Sequence, residues 1–185
     1  MKKAAALLLA VLMLTGCSVK EEELERAMTL RARLLANPCS FAAEVTADYG
    51  DKVYTFAMDC EGDAQGNLTF TVTSPESISG ITGILSKAGG ALTFDETALQ
   101  FPLLADEQVS PVSAPWIVLN TLRGGYLTAA NLEDGLLRLT IDDSYEEDAL
   151  QLDIWLNEND QPVRAEILYD GRRILTVGVR DFQIL

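Results

Sequence analysis

The sequence contains no histidine, and this absence narrows the chemistry that the chain could perform. Without histidine there is no imidazole general base, no imidazole metal ligand, and no Ser-His or Cys-His pair to activate a nucleophile. Cys39 and Cys60 are too few to hold a structural zinc ion. The sequence also lacks a P-loop and the glycine-rich dinucleotide motif. We therefore expect no catalytic residue, no metal site and no cofactor.

Carboxylates are the one reactive group in excess, with 28 Asp and Glu against 14 Lys and Arg. A calcium loop needs oxygen ligands at alternate positions, a turn glycine and a terminal Glu, and the densest acidic segment lacks that order. A solvated hairpin loop is the better interpretation of this segment. A carboxylate pair for glycoside hydrolysis would meet only in space, so the sequence leaves it open. We nevertheless predict that the protein is not an enzyme. The acidic segment comprises Asp142, Asp143, Glu146, Glu147 and Asp148.

The overall charge excludes two classes of partner. The formal net charge is −14, and binding of phosphate backbones depends on clusters of Lys and Arg. Adsorption on anionic head groups would likewise need a polybasic patch. A hydrophobic content of 48% nevertheless supplies enough apolar material for a sizeable core. We expect a folded monomer that binds no nucleic acid.

Residues 1–16 have the pattern of an export signal. Two lysines precede an apolar run over residues 4–14, which as a helix would be ~16 Å long, about half of a bilayer core. The run ends in LTGC at residues 14–17, which resembles the lipobox of bacterial lipoproteins. The resemblance implies diacylglyceryl modification of the Cys17 thiol, with palmitate-type acyl chains, and cleavage before Cys17. The protein would then be anchored on the outer face of the cytoplasmic membrane, or in an outer membrane if the cell has one.

The mature chain is predicted to consist of a short tether at residues 17–20 and one domain at residues 21–185. Three residues between Cys17 and the first predicted helix reach only ~10 Å. We therefore expect the domain to lie against the membrane. No linker, repeat or low-complexity segment divides it.

Cys39 and Cys60 flank a predicted hairpin, and export to an oxidising compartment makes them a candidate disulfide. A turn at Tyr49-Gly50 would place Cys39 directly opposite Cys60, in a non-hydrogen-bonded pair that suits an S–S bridge. A turn at Gly50-Asp51 would shift the register and place the cysteines diagonally. We predict the first register and the disulfide, with two free, buried thiols as the alternative.

Periodicity predicts two helices. The first spans about residues 21–36, with glutamates in its first turn and Asn37-Pro38 at its end. Its apolar stripe, interrupted by Arg31, comprises Leu24, Ala27, Met28, Leu34 and Leu35. The second helix lies in the middle of the chain, with Ser113 as the predicted N-cap and Gly124-Gly125 past its end.

The rest of the chain alternates apolar and polar residues at period two. The alternation predicts about five strands before the short helix and about five after it, joined by polar or glycine-bearing turns. Such a pattern is typical of a long antiparallel meander with one apolar and one solvated face.

This order of elements resembles the lipoprotein-localisation (LolA/LolB-like) superfamily. The resemblance includes SFAA at residues 40–43, GNLTF at residues 66–70 before a Ser-Pro pair, GGALTF at residues 89–94 and the closing VRDFQIL. It implies an α+β fold in which a curved antiparallel sheet, an incomplete β-barrel, carries both helices on its concave face. It also implies that an acyl chain or lipoprotein binds in the cavity between sheet and helices. The arginine that helps the soluble carrier hold its closed state has no clear match, although Arg31 and Arg33 lie in the vicinity.

Large apolar side chains predicted to face inward are the candidate ligand-binding residues, and the same side chains would equally fill a packed core. They are Phe41, Phe56, Phe70, Phe94, Trp116, Leu119 and Leu139. Trp155 is predicted to point outward and to rest on Arg164 across a hairpin. Two hypotheses follow: a membrane-anchored module that binds a lipid or acyl chain, or a non-enzymatic envelope scaffold or regulatory lipoprotein that binds another protein.

Overall fold

The computed structural model describes residues 21–50, 52–95, 97–105, 108–146 and 149–185. The predicted signal peptide, the lipidation site Cys17 and the tether at residues 17–20 lie outside the described residues. Among the helices of the described ranges, none is long and apolar enough to cross a bilayer.

The elements follow the predicted order, with more strands than expected before the short helix. Two 3₁₀ turns, Glu76–Ile78 and Pro111–Ser113, lie in the connections. The helices are α1 (Glu21–Ala36) and α2 (Ala114–Gly124). The strands are β1 (Cys39–Asp48), β2 (Val53–Gly62), β3 (Leu68–Ser74), β4 (Thr82–Ser86), β5 (Gly89–Phe94), β6 (Thr97–Phe101), β7 (Leu104–Ala105), β8 (Gln108–Val109), β9 (Tyr126–Glu133), β10 (Leu136–Asp142), β11 (Gln151–Leu156), β12 (Pro162–Tyr169) and β13 (Arg172–Ile184).

Eleven of the strands form one antiparallel sheet in the order β6-β5-β4-β3-β2-β1-β13-β12-β11-β10-β9, and β7 pairs only with β8. The sheet is curved and does not close into a barrel, and both helices pack on its concave face. The predicted fold class, an α+β incomplete barrel, is therefore confirmed. The C-terminal strand β13 pairs with the first strand, β1, and this pairing joins the two meanders into one sheet.

Alternation along each strand creates the concave face. Residues paired directly across strands share a face, so one row of partners runs through Val45, Val177, Ala165, Ile154 and Leu139. Every side chain in this row is buried. The period-two signal of the sequence therefore decided correctly which side of these strands faces the helices.

The buried side of α1 differs from the predicted stripe. Ala27, Leu30 and Leu34 are buried together with Glu23, whereas the predicted Leu24, Met28 and Leu35 are exposed. Arg26 and Arg31, one on each flank of the buried stripe, explain why α1 is rotated relative to the prediction. Arg26 contacts the β11–β12 turn, where its Nε donates to Asp160 Oδ1 at 2.7 Å, and Arg31 reaches the end of α2. The observed rotation of the helix makes both contacts.

The two helices exchange hydrogen bonds at their C-terminal ends. Arg31 of α1 donates from Nε to Leu122 O and from Nη2 to Gly125 O, each at 2.8 Å. Arg123 of α2 donates from Nε to Leu34 O at 3.0 Å in a buried position. The last carbonyls of a helix lack intrahelical donors, and here each helix supplies a guanidinium to the other.

Ser113 is buried but does not act as the predicted side-chain N-cap of α2. The 3₁₀ turn Pro111–Ser113 precedes the helix directly and gives Ser113 a helical backbone conformation. Its Oγ donates instead to Ser110 O at 2.6 Å. The serine therefore stabilises the turn that leads into the helix.

We predict that Arg31→Ala lowers the free energy of unfolding by about 2 kcal/mol, because two charge-assisted hydrogen bonds to otherwise unpaired carbonyls are lost. Urea denaturation measures this change. Arg33→Ala is the matched control, because Arg33 is exposed on the same turn of α1 and should shift the free energy by no more than about 0.5 kcal/mol. Equal effects of the two variants would contradict the proposed lock between the helices.

Candidate functional site

The concave face beside α2 is filled. Six of the seven predicted ligand-binding side chains are buried there: Phe41, Phe56, Phe70, Trp116, Leu119 and Leu139. The cavity between α2 and β13 has a volume of only about 10 Å³ and is lined by apolar side chains such as Leu122 and Phe182. A space of that size holds about one water molecule. In this conformation the six residues are part of the buried core, and the space between α2 and β13 is too small for an acyl chain.

Close packing of α2 explains the small volume. Gly62 on β2 faces α2, and a Cβ built there would collide with the Leu119 side chain. At the N-terminal end of the helix, Trp116 Nε1 donates to Gly66 O in the β2–β3 turn at 2.8 Å. The missing side chain and this hydrogen bond together bring α2 directly onto the sheet.

Phe94, the seventh predicted ligand-binding residue, is 54% exposed. A row of the concave face runs from Phe70 through Gly83 and Leu92 to Leu99, and exposure along it rises from 3% at Phe70 to 62% at Leu99. Phe94 lies beyond Leu92 on the same face of β5. Phe94 therefore lies on the predicted inward face of the sheet, but its side chain is exposed, because the apolar face extends past the helices that cover it.

The predicted register of the β1–β2 hairpin is also wrong. Cys39 pairs with Gly62 and Phe41 pairs with Cys60, which is the alternative register with the cysteines diagonal. Both are free, buried thiols in the structure, so the predicted disulfide is not formed. The missing side chain of Gly62 gives the observed register its space, since a Cβ there would lie 3.1 Å from Cys39 Sγ.

Burial governs the chemistry of both thiols. It raises the pKa of Cys39, against smaller opposite effects of the Arg123 guanidinium and of a backbone hydrogen bond from Gly62. It also raises the pKa of Cys60, to which the nearby Asp59 carboxylate contributes in the same direction. A thiol must ionise to act as a nucleophile, so neither cysteine is suited to covalent chemistry in the folded protein.

These raised pKa values predict a loss of stability at alkaline pH. The unfolded thiols ionise above about pH 8.5 and the folded ones resist, so the stabilisation is complete below that pH and is lost as the pH rises above it. We expect the free energy of unfolding to fall by up to ~1.4 kcal/mol per pH unit for each thiol. Denaturation of the Cys17→Ser chain at successive pH values measures this. The matched chain that also carries Cys39→Ala and Cys60→Ala should fall less, whereas a native disulfide would make the two slopes equal.

Trp155 lies on the convex face, opposite the helices, and its predicted contact with Arg164 is confirmed. The Arg164 guanidinium lies 4.8 Å from the centre of the indole ring. A second guanidinium, that of Arg138, lies 5.3 Å from the same ring. The indole Nε1 donates to Glu133 Oε2 at 3.1 Å. Only 9% of Trp155 is exposed, so this ring is enclosed by its own neighbours and offers no anchor to a partner.

Asp153 is the residue of the Trp155 neighbourhood that the sequence analysis missed. It is 4% exposed and accepts hydrogen bonds from Arg138 Nη2 at 2.6 Å and from Thr140 Oγ1 at 2.7 Å. Thr140 on β10 pairs directly with Asp153 on β11, and Arg138 is the diagonal neighbour of Asp153 on β10. This arrangement pairs a buried carboxylate with a guanidinium and stabilises the sheet. Among the described side chains no group of three or more His, Cys, Asp or Glu could hold a metal ion.

Comparison with protein-family models finds no match, and comparison with curated protein sequences finds none either. Solved structures do match. A domain from Vibrio parahaemolyticus described as an outer membrane lipoprotein-sorting protein has a TM-score of 0.51 at 10% identity, with 89% of this chain and 92% of that chain covered. A LolA superfamily protein from Nitrosomonas europaea has a TM-score of 0.48 at 8% identity, covering 91% and 94%.

A third match is to a structure of the CwlD amidase from Clostridioides difficile in complex with the GerS lipoprotein. Its TM-score is 0.44 at 17% identity, and 91% of this chain and 98% of that chain are covered. At these identities the likeness concerns the fold. The protein is similar in fold to the Vibrio parahaemolyticus domain.

Proposed function

We propose that the protein is a membrane-anchored extracytoplasmic lipoprotein without catalytic activity, which binds the acyl chain of a lipid or lipoprotein on the uncovered part of its concave face. The observation that carries this proposal is the exposure of Phe94 and Leu99 on β5 and β6. Both side chains belong to the apolar face that is buried elsewhere in the sheet. Large apolar side chains left in water on a concave surface indicate a binding site.

The surface formed by Phe94 and Leu99 is apolar and suits a ligand that needs no hydrogen bonds. Leu92 and Phe101 are half-buried and join Phe94 and Leu99 to the core. Burial of one such side chain by a ligand stabilises a complex by about 1.5–3 kcal/mol. The β5–β6 hairpin is an accessible part of the concave face. The likeness of the fold to a lipoprotein-sorting domain supports the same class of ligand.

The membrane anchor rests on the lipobox-like residues 14–17. Anchoring through acyl chains on Cys17 would hold the start of α1 within ~10 Å of the bilayer surface. Stable anchoring needs two or more chains, since one chain holds only marginally. A module in this position would meet its ligand at, or just above, the lipid surface.

The anchor predicts incorporation of palmitate at a single residue. In a bacterial host grown with an alkynyl palmitate analogue, the wild-type chain should be labelled and should sediment with membranes. Cys17→Ser should remove the label and leave the chain in the soluble extract or in its uncleaved form. Cys39→Ala, which changes a buried cysteine, should remain fully labelled. A label that survives Cys17→Ser would contradict the assignment of Cys17 as the anchor.

Ligand binding predicts that the Cys17→Ser chain, purified under non-denaturing conditions, carries lipid in native mass spectrometry or takes up a fluorescent fatty acid in a 1:1 ratio. The combined Phe94→Ser and Leu99→Ser variant should weaken binding at least tenfold, because two apolar contacts of ~1.5 kcal/mol or more are lost. The Tyr145→Ser variant is the matched control, since it removes an exposed aromatic ring elsewhere and should bind normally. Absence of lipid together with absence of uptake would overturn the proposal, and so would equal binding by all three chains.

A further inference from the structure

All five tyrosines of the chain lie at one end of the sheet. Tyr169 ends β12, and the others lie at or beside strand ends that antiparallel pairing brings to the same edge: Tyr49 after β1, Tyr54 at the start of β2, Tyr126 at the start of β9 and Tyr145 between β10 and β11. We call these five residues the tyrosine rim. Tyrosine supplies a large, rigid contact surface with a polar tip and is enriched in protein interfaces.

The rings of the rim form two exposed pairs. Tyr49 and Tyr54 meet edge to face with ring centres 6.1 Å apart. Tyr126 and Tyr145 lie with ring centres 3.5 Å apart, and Tyr145 is 81% exposed. Each pair fixes the orientation of its rings on the surface, so a partner would meet them with little loss of side-chain freedom.

An open cleft of about 400 Å³ lies between the two pairs. Tyr49 and Tyr169 line it, Val109 and Leu175 add apolar surface, and Arg172 lies among the lining residues, together with Asp48 and Asp170. A cleft with mixed polar and apolar lining of this size accepts a large side chain or a short stretch of polypeptide. The rim therefore combines two aromatic platforms with a central recess.

The rim lies at the end of β12 that is far from the β11–β12 turn. Arg26 fixes the N-terminal half of α1 to the β11–β12 turn through Asp160 and through Asn157 O, at 2.7 and 3.2 Å. β12 leads from this turn to Tyr169 over eight residues, a distance of ~26 Å in a strand. The rim and this contact of α1 are therefore at opposite ends of the sheet.

Charge indicates the chemistry of the partner. The described acidic side chains around the rim outnumber the basic ones, which are Lys52, Arg172 and Arg173; the acidic residues are Asp48, Asp142, Asp143, Glu146 and Asp170. The excess of negative charge suits a basic surface, because complementary charge steers encounter and suppresses wrong partners. From β2 to β9 the rim crosses six strand spacings, at most ~29 Å. A standard interface of ~800 Å² per partner has about this width, and a small molecule would cover only one of the two ring pairs.

We propose that the tyrosine rim is the docking surface for a second envelope protein that presents a basic contact face. This interaction is independent of the acyl-chain site, since Phe94 and Leu99 are not part of the rim. The protein would hold a ligand on its concave face and contact its partner through the strand ends that carry the tyrosines.

Photo-crosslinking in the native host tests this proposal with the full, anchored chain. The amino acid p-benzoylphenylalanine is placed at position 49 or 145 on the rim, and at position 71, an exposed residue on the convex face of β3, as the control. We expect one protein to be captured from both rim positions and not from position 71. Its crosslinked peptide should be rich in Lys and Arg.

The captured protein is then purified and its affinity for the wild-type chain is measured at increasing ionic strength. Tyr49→Ser with Tyr145→Ser should weaken binding at least tenfold while fatty-acid uptake remains unchanged, and added salt should weaken binding to the wild type. The proposal is overturned by a second copy of the chain as the crosslinked partner, by a neutral or acidic contact peptide, by equal capture at position 71, or by no rim-specific capture. Because uptake is measured separately, failure of this proposal is distinguishable from failure of acyl-chain binding.

Discussion

Two arginines that exchange hydrogen bonds between the helix ends govern how the curved sheet is covered. Arg31 of α1 satisfies carbonyls at the end of α2, and Arg123 of α2 satisfies Leu34 O of α1. Neither set of carbonyls has an intrahelical donor. The exchange fixes the two helices as one unit, and Trp116 and Gly62 seat that unit on the sheet. The filled interior, the rotation of α1 and the limit of helix coverage all follow from this unit.

Because the space beside α2 is filled, the proposed binding surfaces lie at the margins of the sheet. Coverage by two short helices extends over the middle strands and stops before the β5–β6 hairpin, where the apolar face continues into solvent. At the ends of the strands the side chains are aromatic and acidic. The two proposed sites are therefore chemically distinct: an apolar surface on the concave face for an acyl chain, and a rim with tyrosines and carboxylates for a basic protein surface.

Local patterns predicted the elements well and their contacts less well. Period-two alternation identified the buried side of β1, β10, β11, β12 and β13, and the pairing of Trp155 with Arg164 followed from one hairpin. The stripe of α1 was misplaced, because Arg26 and Arg31 have distant partners that the helix sequence does not reveal. The cysteine register depended on one turn residue, since both candidate turns contain Gly50 and differ little in local preference. Contact of Gly62 with α2 decided between them.

The sequence by itself determined the alternation of faces, the two helices, the excess of carboxylates and the absence of histidine, because each depends on residue type and spacing along the chain. Only the tertiary structure decided whether the apolar face encloses a cavity and whether Cys39 meets Cys60. It also brought five tyrosines that are distant in sequence to the same end of the sheet. Those properties depend on where α2 stops and on which strand ends lie together. Antiparallel pairing of β13 with β1 joins residues more than a hundred positions apart, and no local pattern carries that information.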